Sequence, residues 1–180
     1  MSFNGLPRFM VLAGLWGLCA SAQAVHVGEK RIAGWVEKVV LEEGQFILTA
    51  KLDTGARTSS IHAQDIGYFT RDGEDWVRFV LPVETKQGNK NQPIEAKLHR
   101  MVKIKRHTLP SAERPVIHLG FCLNDHYYVT QFTLADRSNY HYPVLLGRRF
   151  LKGRLLVDSA TQFTQPKQVH SGACQPGIEN

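Results

Sequence analysis

Several familiar frameworks are missing from this sequence. Cysteine is scarce, 3 of 180 residues, so disulfides do not form the frame. Cys19 falls in an N-terminal apolar run. Cys122 and Cys174 remain: either they pair in an oxidising compartment, or Cys122 is buried and Cys174 sits in a loose tail. No H-E-x-x-H and no G-x-x-x-x-G-K-[ST] occurs, so two strong signatures of zinc hydrolysis and nucleotide binding are absent. His62, His99, His107, His118, His126 and His141 are scattered, and His99 and His107 lie among basic residues that disfavour a cation. No metal and no cofactor is expected. There is no internal repeat, no low-complexity tract and no sustained 3.6-residue period, which argues against a solenoid or a helical bundle. The apolar run Phe9–Ala20 is shorter than the about 20 residues that span a bilayer as a mature helix.

What is present begins with that run. Arg8 precedes it and Ser21-Ala22-Gln23-Ala24 comes after it, an A-x-A exit. A charged start, a short apolar core and small residues at the end describe a secretory signal peptide over 1–24, cleaved after Ala24. The alternative is an uncleaved N-terminal membrane anchor. Trp16-Gly17-Leu18 before Cys19 lacks the small residues of a lipoprotein site. Export would place the mature chain across the inner membrane, in the periplasm. The net charge of +6 permits attraction to anionic surfaces without naming a partner. Behind a signal peptide, nucleic acid is not an expected partner.

From residue 25 the sequence reads as short strands separated by turn residues. Ala33–Leu41 and Gln45–Leu52 form a pair across Glu42-Glu43-Gly44. Ile61–Ile66 is a short turn or strand. Tyr68–Arg71 and Trp76–Leu81 flank Asp72-Gly73-Glu74-Asp75, the clearest hairpin. Lys86–Pro93 reads as a polar loop, and Ile94–Lys105 as renewed β pattern. Pro110-Ser111-Ala112 is a turn. Arg114–Leu123 and Tyr127–Leu134 pair across Asn124-Asp125-His126. Asp136-Arg137-Ser138-Asn139 is a turn, Phe150-Leu151 opens a short helix, and Arg154–Asp158 is a last strand. The expected fold is all-β: a small closed barrel over 25–164 with one short helix near its C-terminal end, then a flexible tail over 165–180.

Two stretches stand out. In Leu48-Thr49-Ala50-Lys51-Leu52-Asp53-Thr54-Gly55-Ala56-Arg57-Thr58-Ser59-Ser60 a strand runs into an Asp-Thr-Gly-Ala turn. Gly55 keeps that turn tight, where a side chain would crowd a bound peptide. Downstream, Tyr142-Pro143-Val144-Leu145-Leu146-Gly147-Arg148-Arg149-Phe150-Leu151 sets bulky aliphatics before Gly-Arg. A bare Asp-Thr-Gly is an ordinary turn; the preceding strand, the following Thr-Ser and the downstream Gly-Arg, in that order, make the combination specific. Asp158-Ser159-Ala160 echoes the triplet without its glycine and reads as a strand-terminal or turn Asp.

These stretches resemble the active-site core of retropepsin-like aspartic proteases. With Trp76-Val77-Arg78-Phe79, Arg114-Pro115-Val116-Ile117 and Val157-Asp158, the resemblance covers about Gly34 to Phe163 and is to a bacterial retropepsin-like family long labelled "ATP-dependent zinc protease". It implies a retropepsin-like barrel and aspartic endopeptidase activity on a protein or peptide. It casts Asp53 as the catalytic residue, with Thr54, Gly55, Ala56, Thr58, Leu145, Leu146, Gly147 and Arg148 supporting the loop. Thr54 would cross-link two loops, Gly55 would present backbone to substrate, and Leu145, Leu146 and Gly147 would form the floor. Some relatives sit near ATP-grasp peptide ligases or membrane proteins, which implies a cell-envelope partner. Peptide hydrolysis needs a base for water and an acid for the leaving group. Two carboxyls sharing one proton do both. Asp-Thr-Gly occurs once, so a homodimer would have to bring two copies of Asp53 together.

The sequence departs from the viral pattern in two places. Arg57 stands where viral enzymes carry an acid that pairs with the Arg of Gly-Arg, so Arg148 needs another partner. The long interval between Asp53 and Gly147 adds Lys86 to Ser111, an enlarged flap or a covering loop. Lys97, His99, Arg100, Lys103, Lys105, Arg106 and His107 concentrate charge there: either a face for an anionic substrate or membrane, or a solvated strand face. Tyr127, Tyr128, Tyr140 and Tyr142 read as packing residues. The rival functions are a non-catalytic peptide-binding or regulatory module of the same fold, and a zinc-dependent hydrolase.

Overall fold

A computed structural model describes residues 30–41, 46–85, 88–104, 112–124 and 126–164. The signal peptide, the Glu42-Glu43-Gly44 turn, the Pro110-Ser111 turn, Asp125 and the 165–180 tail lie outside these residues. Among the described residues no helix is long and apolar enough to cross a membrane.

The described residues form eleven strands and one short helix: β1 Arg31–Leu41, β2 Phe46–Asp53, β3 Ser59–His62, β4 Gln64–Arg71, β5 Glu74–Thr85, β6 Gly88–Lys97, β7 Arg100–Ile104, β8 Ala112–Leu123, β9 His126–Ala135, β10 Val144–Gly147, α1 Arg148–Leu151 and β11 Leu155–Gln162. The order β1-β2-β10-β3-β9-β8 closes on itself because β8 also pairs with β1, giving a six-stranded barrel with β11 and β7 added at its seams. The expected all-β barrel with one short late helix is what forms.

Strand β1 closes the barrel by changing partners along its length. Its first half pairs in parallel with β11, from Arg31↔Leu155 to Gly34↔Asp158. Its last residues, Val40 and Leu41, pair with Cys122 and Phe121 of β8. The β11 register slips between Gly34 and Val36. A Cβ at Gly34 would sit 2.6 Å from the Thr161 carbonyl oxygen, so only glycine lets β11 pass that close. Cys122 is disulfide-bonded; Cys174 lies outside the described residues.

The interior is filled from all sides. Phe121 meets Phe132 at 5.7 Å and Phe150 at 5.2 Å between ring centroids. Helix α1 has only four residues, and it is held by burying Phe150 and Leu151 rather than by propensity. Beside the barrel lies the sheet β4-β5-β6. Val77, Phe79, Leu81 and Val83 alternate along β5 and join Ile94 and Ala96 of β6 in the same core. The Asp72-Gly73 turn has positive φ at both residues (54° and 77°), the arrangement that matches strand twist in a tight hairpin.

Two strand expectations need correction. Residues 88–93 are not loop: β6 pairs with β5 from Trp76↔Lys97 to Thr85↔Gly88. The polar sequence deceived because Gly88, Lys90, Asn91 and Pro93 are exposed and, among the described side chains, only Gln92 is half-buried, so this part of the strand has no buried apolar face to give an alternation. The Ile94–Lys105 pattern is two strands in two sheets, parted at Leu98 and His99, whose amides bond Asp75 and Val116 carbonyls respectively. Of the added stretch Lys86 to Ser111, residues 88–97 thus belong to the separate three-stranded sheet and 100–104 to the barrel sheet. Its basic cluster is divided. Lys97 pairs with Glu74, Arg100 bonds Gln131, Lys103 is exposed, and 105–107 lie outside the described residues.

Candidate active site

Strand β10, far away in sequence, is inserted between β2 and β3. It runs parallel to β2, Val144↔Ala50 through Gly147↔Asp53, and antiparallel to β3, with Leu145↔Ser60. The segment Thr54–Thr58 joining β2 to β3 must therefore cross the end of β10. Gly147 stands at that crossing. A Cβ there would lie 2.6 Å from both the carbonyl carbon and oxygen of Thr58. Its φ is −93°, so closeness rather than backbone handedness demands glycine.

Hydrogen bonds then bind the loop to the end of β10 and the start of α1. Gly147 N–H donates to Ser59 Oγ (3.1 Å). Arg148 N–H donates to the Ala56 carbonyl (2.9 Å) and Arg149 N–H to the Arg57 carbonyl (3.1 Å). These carbonyls satisfy the first amides of α1, which has no side-chain cap.

Asp53 ends β2 at this loop. Its Oδ1 accepts N–H bonds from Gly55 (2.9 Å) and Ala56 (3.0 Å), and Lys51 Nζ lies 3.3 Å from Oδ2. The Asp53 side chain is 22% exposed. Burial pushes its acidity the other way, but the two amides and the Lys51 ammonium outweigh it and hold the carboxyl below the usual aspartate range. Thr54 and Gly55 are exposed at the tip, Ala56 and Thr58 half-buried. Leu146 and Gly147 are buried beneath them and Leu145 is half-buried. Arg148 opens α1 with its side chain exposed, making no ion pair among the described residues. Asp158 lies on β11, where its carboxylate accepts from Ala160 N–H and the Thr161 hydroxyl.

A buried polar layer supports the loop from β3. Thr133 Oγ1 donates to the Ser59 carbonyl (3.1 Å). Arg137, 9% exposed, donates from Nη1 to Ser60 Oγ (2.8 Å) and from Nε to the Tyr142 carbonyl (3.1 Å), and it stacks 4.6 Å from the Tyr140 ring. Burial lowers its affinity for a proton, though a guanidinium stays charged. Arg137 N–H also donates to His62 Nδ1 (2.8 Å). That nitrogen is thus an acceptor and the ring proton sits on Nε2, so the 3.7 Å approach of Asp136 to Nδ1 is not an ion pair.

Lys51, Ser59, Ser60, Thr133 and Arg137 were not singled out from sequence as site residues. Lys51 had a signal, being two residues from Asp53 on one strand face. Arg137 had none, since its turn gives no sign of what it reaches.

Two concavities adjoin the loop. One, of about 440 Å³, is lined by Thr58, Arg100, His118, Gln131, Arg149 and Arg154 among others, with no carboxylate. Burial, His99 and Arg100 together lower the His118 proton affinity. The other, of about 530 Å³, lies between Thr54, Arg148, Leu151 and Leu155 and is mostly apolar. Among the described residues no group of three metal-ligating side chains occurs.

Curated relatives include a "Probable alpha-L-glutamate ligase" of Shewanella halifaxensis, 36% identical over 125 residues, covering 67% of this chain and 26% of the relative. One of Desulfotalea psychrophila with the same name is 35% identical over 116 residues, covering 64% and 25%. The chain spans about a quarter of the length of these relatives. A crystal structure of a Legionella pneumophila protein of unknown function is 34% identical, with a TM-score of 0.65 over 76% of this chain and 98% of that one. Residues 32–168 match the family described as "Retropepsin-like aspartic endopeptidase RimB". A single Asp-Thr-Gly loop clamped beneath by a distant Gly-Arg strand, in a closed β-barrel, fits that match, and the chain belongs to the RimB-like family.

Proposed function

We propose that this protein is an aspartic endopeptidase working as a homodimer, each copy supplying Asp53 to one catalytic pair. The observation that carries the reading is the Asp53 loop. It is held by Gly55, Ala56 and the Gly147 crossing, yet its tip at Thr54 and Gly55 is exposed. One such carboxylate can act as base or acid, not both. A two-fold axis through the loop tips would supply the other. In the pair, the ionised carboxyl takes a proton from water as its oxygen bonds the scissile carbonyl carbon. The protonated carboxyl gives its proton to the carbonyl oxygen. The carboxyl that took the water proton then passes it to the amide nitrogen as the C–N bond breaks and the C=O bond re-forms, returning the oxygen-bound proton to the other carboxylate. Thr54 would link the two tips, and the apolar concavity beside it would be covered by the second copy.

The charged, apolar and small-residue pattern of the N-terminal segment supports a periplasmic setting, with a protein or peptide of the cell envelope as substrate. The 440 Å³ concavity offers a substrate hydrogen-bond donors and positive charge close to the loop. A second reading has one specific support. Within a single chain every Asp53 oxygen is already engaged, which suits a non-catalytic peptide-binding module that stays monomeric.

The test is cleavage of a denatured protein by the exported chain from acid to neutral pH, with sedimentation on the same samples. Cleavage lost in Asp53→Ala, kept with chelator and tracking the dimer is the expected result. A monomer without Asp53-dependent cleavage supports the binding module, and loss with chelator alone supports a zinc hydrolase.

A further inference from the structure

We propose that Lys51 is the built-in counter-ion that lets two Asp53 carboxylates meet across the dimer axis, and that it sets the pH at which the pair takes up its working proton. This rests on the dimeric reading above. It concerns a residue that neither touches substrate nor exchanges a proton, and so has a positioning role.

The geometry is specific. Lys51 and Asp53 are two residues apart on β2 and therefore point to one face. Lys51 lies between Val36 of β1 and Leu145 of β10. The Lys51 side chain is 41% exposed, against 22% for Asp53. Nζ stops 3.3 Å from Oδ2, the oxygen that the loop amides leave free. Among the described residues, Asp53 is the carboxylate in contact with Lys51.

The other charged groups around the strand are occupied or turned outward. From β1, Lys38 bonds Thr49 and lies over Phe163, while Glu37 is buried against Gly34 and Thr164. In the loop, Arg57 is exposed, as are Arg148 and Arg149 on α1. From β3, His62 accepts the Arg137 amide. Arg137 is near enough to feel the Asp53 charge but bonds Ser60 and Tyr142. Among the described residues, Lys51 is the cation that touches the carboxylate.

Two ionised carboxyls about 3 Å apart repel so strongly that one must be protonated. If nothing offset them, the dimer would assemble only after taking up a proton. One ammonium per carboxylate makes the four-group cluster neutral with both acids ionised, so assembly no longer depends on protonation. The same ammonium disfavours the protonated carboxyl, so the singly protonated pair is populated at lower pH. Lys51 thereby exchanges activity at neutral pH for assembly at neutral pH.

The experiment compares full-length wild type, Lys51→Met, Lys51→Gln and Lys51→Arg, each also in an Asp53→Asn background. Sedimentation gives the dimer Kd from acid to neutral pH, and peptide cleavage gives kcat/KM over the same range. Lys51→Met is expected to weaken the dimer about tenfold at neutral pH and much less at acid pH. It should move the alkaline limb of kcat/KM upward by about 1 pH unit, at the low end for losing an adjacent opposite charge. Lys51→Arg should restore both, and in Asp53→Asn the Kd should no longer respond to residue 51. If Lys51→Met misfolds, Lys51→Gln carries the same expectations. An unmoved alkaline limb with a Kd loss equal at all pH values overturns the counter-ion role while leaving the dimeric enzyme intact. Wild type without Asp53-dependent cleavage overturns both, and is recognised because it appears before any residue 51 variant is compared.

Discussion

Adding one methyl group at Gly147 tests whether the crossing beneath the Asp53 loop is as tight as its geometry requires. The new Cβ would lie 2.6 Å from the Thr58 carbonyl carbon and oxygen and 2.9 Å from its nitrogen. Ordinary contact begins near 3.4 Å, so backbone must open by roughly 0.8 Å. Neither side yields easily. Thr58 is flanked by the Arg57 carbonyl, bonded to Arg149 N–H, and by Ser59, whose carbonyl takes the Thr133 hydroxyl. Opening the gap stretches the bonds from Gly147 to Ser59 and from Arg148 to Ala56. Overpacking of this kind costs about 1–3 kcal/mol, and a weakened hydrogen bond about 1 kcal/mol. Gly147→Ala should therefore destabilise by about 3 kcal/mol, lowering Tm by roughly 10 °C for a domain of this size. Ser59→Ala, which removes only the hydroxyl, should cost about 1 kcal/mol. Thermal unfolding measures both, and amide NMR of Gly55 and Ala56 reports whether the Asp53 turn shifts. A Gly147→Ala protein melting within about 2 °C of wild type, with those amides unmoved, would refute the close-approach reasoning.

The same geometry sets three further outcomes. Arg137→Lys should lose about 2 kcal/mol in denaturant unfolding, because one ammonium cannot serve Ser60 Oγ and the Tyr142 carbonyl while stacking on Tyr140. Glu37→Ala should lose about 1–3 kcal/mol, since it strands the Gly34 and Thr164 donors that hold the end of β11 over β1. The Oε2 atom of Glu37 has no partner among the described residues, so Glu37→Gln should cost less than Glu37→Ala. Asp53 has a lowered pKa in the fold, so the stability it contributes is complete above the unfolded aspartate pKa near 3.8. That contribution disappears as pH falls through the lower folded value. Urea unfolding should show less acid destabilisation in Asp53→Asn than in wild type; equal slopes would count against the lowered pKa.

Much of the architecture was legible because it is written locally. Turn residues such as Asp72-Gly73 mark hairpins through the backbone angles they permit, and alternating burial along Trp76–Leu81 comes from the two-residue period of a strand. Residues 88–93 were illegible for the converse reason. Their strand comes from pairing with β5, not from their own polar sequence. Asp53 and the Leu145-Leu146-Gly147 stretch could be named because a turn and an aliphatic run are contiguous. Local sequence was enough to specify an all-β chain with one Asp-Thr-Gly turn, and therefore at most half of a carboxyl pair. It took the assembled barrel to show that β10 slides between β2 and β3, that Gly147 must lack a Cβ, that Arg137 braces Ser60, and that Lys51 reaches Asp53. Most of those facts depend on residues far apart in sequence being brought within a few ångströms. Long-range strand pairing and packing set such distances, and no local pattern encodes them.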